Sequence, residues 1–148
     1  PTPYLEYIME NQIPAYIGSD GSEFVMVDYQ YIDADTVDYT ELGFYTSVDE
    51  AGQITNAGYQ MVFPGNTEMI AQTFAIYSEA KIITAHKYEP VLNQWVNMGF
   101  DDTYWIETGK MTKVINGKEI VYTTYAYNVE LMGDAITATE YWRFEVEV

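Results

Sequence analysis

The sequence predicts a mainly β fold, an antiparallel sandwich or barrel of about eight strands with one short helix near its N-terminus. Two observations carry this prediction. Runs of alternating apolar and polar residues, which are typical of half-buried strands, recur along the chain between clusters of turn residues. In addition, Asn116-Gly117 lies between two such runs, and this dipeptide favours the type I′ turn of a β-hairpin.

The length and composition predict a single domain over residues 1–148. Of the 148 residues 48% are hydrophobic and 24 are aromatic, so the chain can bury a core without disulfides or a structural metal. No repeat, low-complexity tract or linker divides it, and no motif in it resembles that of a known family.

The N-terminal segment predicts a helix followed by a strand. Apolar residues recur at every third or fourth position between residues 4 and 17, which predicts a short amphipathic helix that ends near Pro14. A turn cluster follows, and residues 23–32 then alternate in the manner of a strand.

The middle of the chain predicts further strands and one ambiguous segment. Residues 36–48 and 53–63 are two β-like runs joined by a tight turn, which predicts a hairpin. Residues 67–80 fit either a second helix or a strand, because their apolar spacing is compatible with both. Residues 81–88 predict a strand, and residues 90–102 predict a partly apolar connection.

The C-terminal part predicts a meander of three strands with one strongly apolar face. A two-residue turn at Asn116-Gly117 pairs Ile115 with Lys118. An uninterrupted register would then pair Thr112 with Val121, Thr108 with Tyr125, and Ile106 with Tyr127. A second two-residue turn at Gly133-Asp134 would bring the last strand back, so that one face carries Tyr125, Trp142, Phe144 and Val146 together.

This apolar face predicts a candidate ligand pocket, because two charged residues lie among its aromatic side chains. The predicted pocket consists of Lys110, Tyr125, Tyr127, Glu140 and Trp142. A carboxylate in apolar surroundings has a raised pKa and can transfer protons, and an aromatic cavity with few polar groups holds small ligands. The favoured alternative is structural: Glu140 and Lys110 lie at rims or satisfy each other and the tyrosine hydroxyls.

Fifteen tyrosines, on both faces of the predicted strands, suggest an interface. Alternation would expose the side chains of four of them, Tyr39, Tyr45, Tyr122 and Tyr141. Tyrosine is enriched where proteins meet, so we predict that these residues contact copies of the same chain. The alternative is that tyrosine, a good strand former, merely covers a half-buried sheet.

The charge and the missing residue types disfavour several functions. The chain has six Lys and Arg and 23 Asp and Glu, so its net charge is −17. This charge disfavours direct binding to nucleic acid and to anionic membranes. No segment approaches the roughly 20 apolar residues of a membrane span. The chain has no cysteine and one histidine, His86, so thiolate catalysis, a nucleophilic triad and ordinary zinc sites are disfavoured.

We expect no metal and no cofactor. The acidic run at residues 33–38 begins like a calcium loop, but it has Asp38 where the loop needs glycine and Phe44 where it needs a bidentate glutamate. We also expect a soluble protein, either cytoplasmic or virion-associated or else secreted. Pro1-Thr2-Pro3 fits removal of an initiator methionine slightly better than removal of a secretory signal.

Three functions remain as alternatives. The first is a non-enzymatic structural subunit of a homo-oligomeric assembly, such as a virion tube, a capsid component or a filament, because catalytic residue types are scarce. The second is a barrel that holds a small apolar ligand, including an isomerase or cyclase that uses Glu140, Tyr127 and Lys110. The third is an acidic decoy that imitates nucleic acid in the basic groove of another protein.

Overall fold

The fold is known from a computed structural model, which describes residues 3–26, 32–35 and 38–148. The prediction of a mainly β protein is confirmed: these residues form two short helices and eleven strands. The elements are, in chain order, α1 (Pro3–Glu10), β1 (Pro14–Ile17), β2 (Glu23–Val25), β3 (Ile32–Asp33), β4 (Gly43–Val48), β5 (Ile54–Phe63), β6 (Thr73–Tyr77), β7 (Ile82–Glu89), β8 (Gln94–Asn97), β9 (Trp105–Ile115), β10 (Lys118–Tyr127), α2 (Val129–Met132) and β11 (Glu140–Val146).

The strands form two sheets. The five-stranded sheet has the order β2-β1-β6-β10-β9, and the six-stranded sheet has the order β3-β4-β5-β11-β7-β8. The described pairs are antiparallel except for β3 with β4, which are parallel. Neither described helix is long and apolar enough to cross a bilayer.

Aromatic side chains pack between the two sheets. Trp105 of the five-stranded sheet is buried, and its ring lies 4.6 Å from that of Phe63 and 5.6 Å from that of Trp142, both in the six-stranded sheet. Leu5 and Ile8 of α1 are buried in the same core. Large aromatic rings bury more apolar area than other side chains, so these contacts dominate the packing of the sheets.

The five-stranded sheet is curled into a half-barrel. Its outer strands β2 and β9 would lie about 19 Å apart in a flat sheet, at roughly 4.8 Å per interval. Instead, Lys113 of β9 forms an ion pair with Glu23 of β2. The two outer strands therefore approach each other across the concave side of the sheet.

The first half of the chain follows the predicted pattern with shifted boundaries. Helix α1 ends at Glu10, and Pro14 begins a strand rather than ending the helix. The predicted strand at 23–32 is observed at Glu23–Val25 and Ile32–Asp33, and residues 27–31 lie outside the described residues. The predicted hairpin is confirmed as β4 and β5.

The structure decides the ambiguous segment and corrects one prediction for the middle of the chain. Of the two alternatives for residues 67–80, the strand is observed and the helix is not: Thr73–Tyr77 is strand β6, which pairs with β10 and β1. The apolar spacing fitted both structures, and pairing with two neighbouring strands favours the extended one. The predicted connection at 90–102 contains a further strand, Gln94–Asn97.

The hairpin at Asn116-Gly117 is confirmed, although its register changes part of the way along. Both turn residues have positive φ, 51° and 77°, and Ile115 pairs with Lys118. Beyond Gly109 the register shifts by one residue, because a β-bulge leaves Thr108 without a direct partner in β10. The predicted pairs of Thr108 with Tyr125 and of Ile106 with Tyr127 are therefore wrong.

The predicted three-stranded meander is also wrong. After β10 the chain forms α2 instead of a hairpin turn: Asn128 Oδ1 accepts a hydrogen bond from Leu131 N, and Gly133 ends the helix in the left-handed conformation. Strand β11 then joins the other sheet, between β5 and β7. Trp142, Phe144 and Val146 nevertheless face the core together, as predicted, whereas Tyr125 is half-buried on the facing sheet.

Candidate functional site

The structure brings three of the five predicted pocket residues together where the two sheets meet. Trp142 Nε1 donates a hydrogen bond of 2.9 Å to Glu140 Oε1. Trp105 lies between this pair and Tyr127, with ring centroids 5.6 Å from Trp142 and 5.4 Å from Tyr127. The side chains of Tyr127, Glu140 and Trp142 thus form one cluster.

The Glu140 carboxylate of this cluster is bonded within the chain on both of its oxygens. Glu140 Oε2 lies 3.5 Å from Lys87 Nζ, which also lies 3.4 Å from Glu89 Oε1. Burial, with the neighbouring Glu140 carboxylate, raises the pKa of Tyr127 to about 12, so this phenol is protonated at neutral pH. A carboxylate already bound to an indole and an ammonium group fits the structural interpretation of Glu140 better than the catalytic one.

Lys110 and Tyr125 lie away from this cluster. Lys110 Nζ donates a hydrogen bond of 2.7 Å to Thr123 Oγ1, so the lysine that reaches Glu140 is Lys87 and not the predicted Lys110. Tyr125 stacks on Phe74 at 5.0 Å. The predicted five-residue pocket is therefore divided between two places, and Tyr125 lines a different cavity.

That cavity, which we call the half-barrel cavity, has a volume of about 430 Å³ and lies against the curled five-stranded sheet. One wall comes from the β1–β2 turn and the others come from β6, β9 and β10. Its described lining consists of Ile17, Gly18, Ser19, Gly21, Thr73, Phe74, Ala75, Thr108, Met111, Thr124 and Tyr125.

The β-bulge at Gly109 determines which β9 side chains enter the half-barrel cavity. Without the bulge, alternation would place Thr108 on the same face as Thr112, because the two are four residues apart. With the bulge, Thr108 turns to the other face, where its hydroxyl oxygen lies 2.8 Å from that of Thr124. Bulges commonly redirect a side chain next to a functional site, and this one adds a polar group to an apolar cavity.

Two of the four predicted interface tyrosines are core residues. The expectation that Tyr45 and Tyr122 are exposed is wrong, because both are buried. Tyr122 donates a hydrogen bond of 2.8 Å to the carbonyl oxygen of Pro14, which covers this face of the sheet. Tyr39 and Tyr141 are half-buried and pack edge to face at 5.0 Å, so their contact with a second copy stays a prediction.

The outer face of the six-stranded sheet holds a buried cation that sequence reasoning missed. Arg143 is 5% exposed, and its guanidinium lies between the rings of Tyr45 and Trp95, at 4.6 and 4.4 Å. Its Nε donates to Gln60 Oε1 at 2.8 Å, and its Nη1 donates to the carbonyl oxygen of Ala34 at 3.0 Å. These bonds attach the acidic segment around Ala34 to the sheet.

His86 pairs with Arg143 across β7 and β11 and is half-buried. Burial is the main cause that lowers the pKa of His86, so the imidazole is neutral at neutral pH.

The sequence does contain a signal for the buried position of Arg143. An arginine that alternates with Trp142 and Phe144 on a buried strand must lie on the opposite face of the sheet. If that face is also buried, the guanidinium needs hydrogen-bond acceptors there.

The β9–β10 hairpin, residues 105–127, differs in charge from the remainder of the chain. It contains three of the six basic residues and two of the 23 acidic ones, so its net charge is +1 while the remaining 125 residues carry −18. Val114 is 70% exposed, and Val121 is 37% exposed on the same face.

No family model, curated protein or solved structure matches the chain. A function must therefore be argued from the residues and surfaces described above.

Proposed function

We propose that this protein is a structural subunit that assembles with copies of itself, and that the β9–β10 hairpin of one copy binds an acidic surface of the next. The charge distribution carries this proposal. A net charge of −17 makes copies repel one another in general, but a hairpin of net charge +1 is attracted to a surface of the opposite sign. Association therefore favours contacts made through the hairpin.

The contacting face of the hairpin combines charge with exposed apolar area. Lys110, Thr112 and Val114 alternate along β9, and Val121 and Glu119 of β10 pair with Thr112 and Val114, so these five side chains share one face. Lys110 lies at one end of this face and Glu119 at the other, with the valines and Thr112 between them. Exposed valines next to a lysine are typical of an interface that buries an apolar centre within a polar rim.

The receiving surface is the one that contains Tyr39 and Tyr141. It also presents Asp38, Glu41 and Leu42, and Leu42 is 46% exposed. Gln60 Nε2 donates hydrogen bonds to the carbonyl oxygens of Asp38 and Glu41, which holds this segment on the sheet before any partner arrives. We call these five residues the Tyr39 surface, and its acidic and aromatic groups complement the lysine and valines of the hairpin.

A contact between two different surfaces repeats indefinitely. Because the hairpin and the Tyr39 surface are distinct, a pair of copies still has one hairpin and one Tyr39 surface free, and the contact generates a closed ring or an open filament. This geometry suits a tube or filament subunit better than a two-fold dimer.

Sedimentation velocity over a range of protein concentrations tests the proposal directly. The wild-type chain should form species larger than a dimer as the concentration rises. Val114→Glu should weaken association at least ~10-fold, since it places a carboxylate against an acidic surface. Val48→Glu is the matched control, because it changes a 60% exposed valine outside both surfaces and adds the same charge.

Charge reversal on both surfaces tests which ones meet. Lys110→Glu and Glu41→Lys should each prevent self-association, and an equimolar mixture of the two variants should restore it, because each then offers the complement of the other. A wild-type chain that stays monomeric at every concentration would overturn the proposal, as would a mixture that does not associate. The decoy hypothesis stays a separate prediction, which requires salt-sensitive binding to a basic partner.

A further inference from the structure

We propose that the half-barrel cavity binds a neutral, mostly apolar small molecule that donates one hydrogen bond to Thr108. The size of the cavity is the first observation. Its volume of about 430 Å³ lies within the range of roughly 300–1,000 Å³ that small-molecule pockets occupy, and the mouth of a curled sheet is a common place for them.

The lining excludes a charged ligand. None of the eleven described residues around the cavity is Asp, Glu, Lys, Arg or His. An ion placed there would lose its hydration without gaining a counter-charge, which is costly. An anion would additionally be repelled by the net charge of −17. The ligand must therefore be neutral.

The lining favours an apolar molecule. Ile17, Ala75 and Met111 supply apolar contacts, and Met adapts readily to the outline of a ligand. Phe74 and Tyr125 border the cavity, but their stacked rings pack in the core between the sheets. They close the cavity on that side.

The hydroxyl pair determines the polar group of the ligand. Thr124 Oγ1 donates its single proton to the carbonyl oxygen of Gly109 at 3.2 Å. Either hydroxyl can donate in the 2.8 Å contact between the two, and the arrangement that satisfies both contacts has Thr108 as the donor. Both protons are then engaged, and Thr108 Oγ1 retains lone pairs, so it accepts a hydrogen bond from a ligand hydroxyl or N–H group.

Naphthol and its methyl ether, methoxynaphthalene, are suitable probes because they share a neutral, mostly apolar body and differ in the donor. Isothermal titration calorimetry with the full chain should show one saturable site for naphthol. The methyl ether should bind about 3–10-fold more weakly, the value of one hydrogen bond. In Thr108→Val the two probes should bind equally, because this variant keeps the shape of threonine and removes the acceptor.

A blocking variant and its control locate the site. Thr108→Trp should weaken naphthol binding at least ~10-fold by filling the cavity, whereas Thr112→Trp, on the opposite face of β9, should leave it unchanged. Thr108→Val tests the site even if the tryptophan variant fails to fold. The proposal is overturned if naphthol does not saturate, if the ether binds as tightly as naphthol to the wild-type chain, or if both tryptophan variants bind alike.

The half-barrel cavity lies on the face of the hairpin opposite the residues proposed for self-association. The Val114→Glu variant changes the hairpin face that points away from the cavity, and it should bind naphthol like the wild-type chain. Loss of naphthol binding in that variant would show that the cavity is formed or filled by assembly, which contradicts a small-molecule site.

Discussion

Two buried tryptophans in one aromatic cluster differ in a single hydrogen bond, and this difference predicts unequal costs for the same substitution. Trp105 and Trp142 are 2% and 1% exposed, and their rings touch. Trp142 Nε1 donates to Glu140. Trp105 Nε1 is buried and has no partner within the described part of the chain. Replacing either by phenylalanine removes similar packing, but only Trp142→Phe removes a bond to a carboxylate.

The magnitude follows from the type of bond and from its exposure. Hydrogen bonds to charged groups contribute roughly 1.5–3 kcal/mol. The side chain of Glu140 is 20% exposed, so water replaces part of the lost bond and the net loss lies around the lower end of this range. Trp142→Phe should therefore lower the free energy of unfolding by ~1–2 kcal/mol more than Trp105→Phe does. Urea titrations followed by far-ultraviolet circular dichroism measure both costs.

A double-mutant cycle with Glu140→Met assigns the difference to this bond. The coupling energy between Glu140 and Trp142 should be ~1–2 kcal/mol, and that between Glu140 and Trp105 should be close to zero. Glu140→Met also removes the contact between Glu140 and Lys87. Because this loss occurs in both cycles, it cancels when the two coupling energies are compared. Equal costs for the two tryptophan variants, or equal coupling energies, would refute the reasoning.

Two further predictions concern the buried tyrosines and a glycine. Burial is the largest cause that raises the pKa of seven tyrosines, namely Tyr16, Tyr45, Tyr59, Tyr77, Tyr122, Tyr125 and Tyr127. The unfolded chain therefore loses its phenol protons near pH 10, before the folded chain does. The free energy of unfolding should consequently fall as the pH rises from about 10 to 12. Tyrosinate absorbance should therefore rise together with unfolding, and a gradual rise in a chain that stays folded would contradict this. Gly58→Ala should destabilise by about 3 kcal/mol, because its Cβ would lie 2.6 Å from the Tyr45 hydroxyl and closer still to the Phe144 carbonyl oxygen. Gly18→Ala, whose Cβ would meet its nearest atom at 3.5 Å, is the control in urea titrations, and equal stability of the two variants would show that Tyr45 does not pack on Gly58 as described.

Local signals in the sequence predicted most of the strands and the first helix but not the pairing of distant strands. Asn116-Gly117 predicted its hairpin, because the turn depends on two adjacent residues. Alternation predicted that Trp142, Phe144 and Val146 share a buried face, and this is confirmed. Alternation says nothing about which strand lies alongside, so β11 was placed in the wrong sheet.

The sequence contains a local reason why the hairpin turn predicted at Gly133-Asp134 does not form. Gly133 does adopt positive φ, as the predicted turn required, but it does so as the C-terminal cap of α2. Asn128, five residues earlier, is a good N-terminal cap, and the two residues together mark a short helix. A glycine that favours positive φ is compatible with both structures, and the N-cap distinguishes them.

The candidate site was predicted only in part, for similar reasons. Tyr127, Glu140 and Trp142 come together because each lies near the end of a strand where the sheets meet. Lys110 lies elsewhere, and the bulge at Gly109 moves Thr108 into the cavity, which no alternation pattern predicts. Alternation places Arg143 on the face opposite Trp142 and Phe144, but it does not identify Tyr45 and Trp95, 98 and 48 positions away in the chain, as the rings on either side of it.

The position of β11 has a consequence for biosynthesis. Strands β5 and β7 are synthesised well before residues 140–146, yet in the folded protein they are separated by this later strand. A nascent chain that has emerged only as far as α2 thus leaves two inner strand edges open, each able to pair with a foreign strand. The six-stranded sheet is completed only when residues 140–146 are available, and until then the net negative charge of the chain disfavours association with other acidic polypeptides.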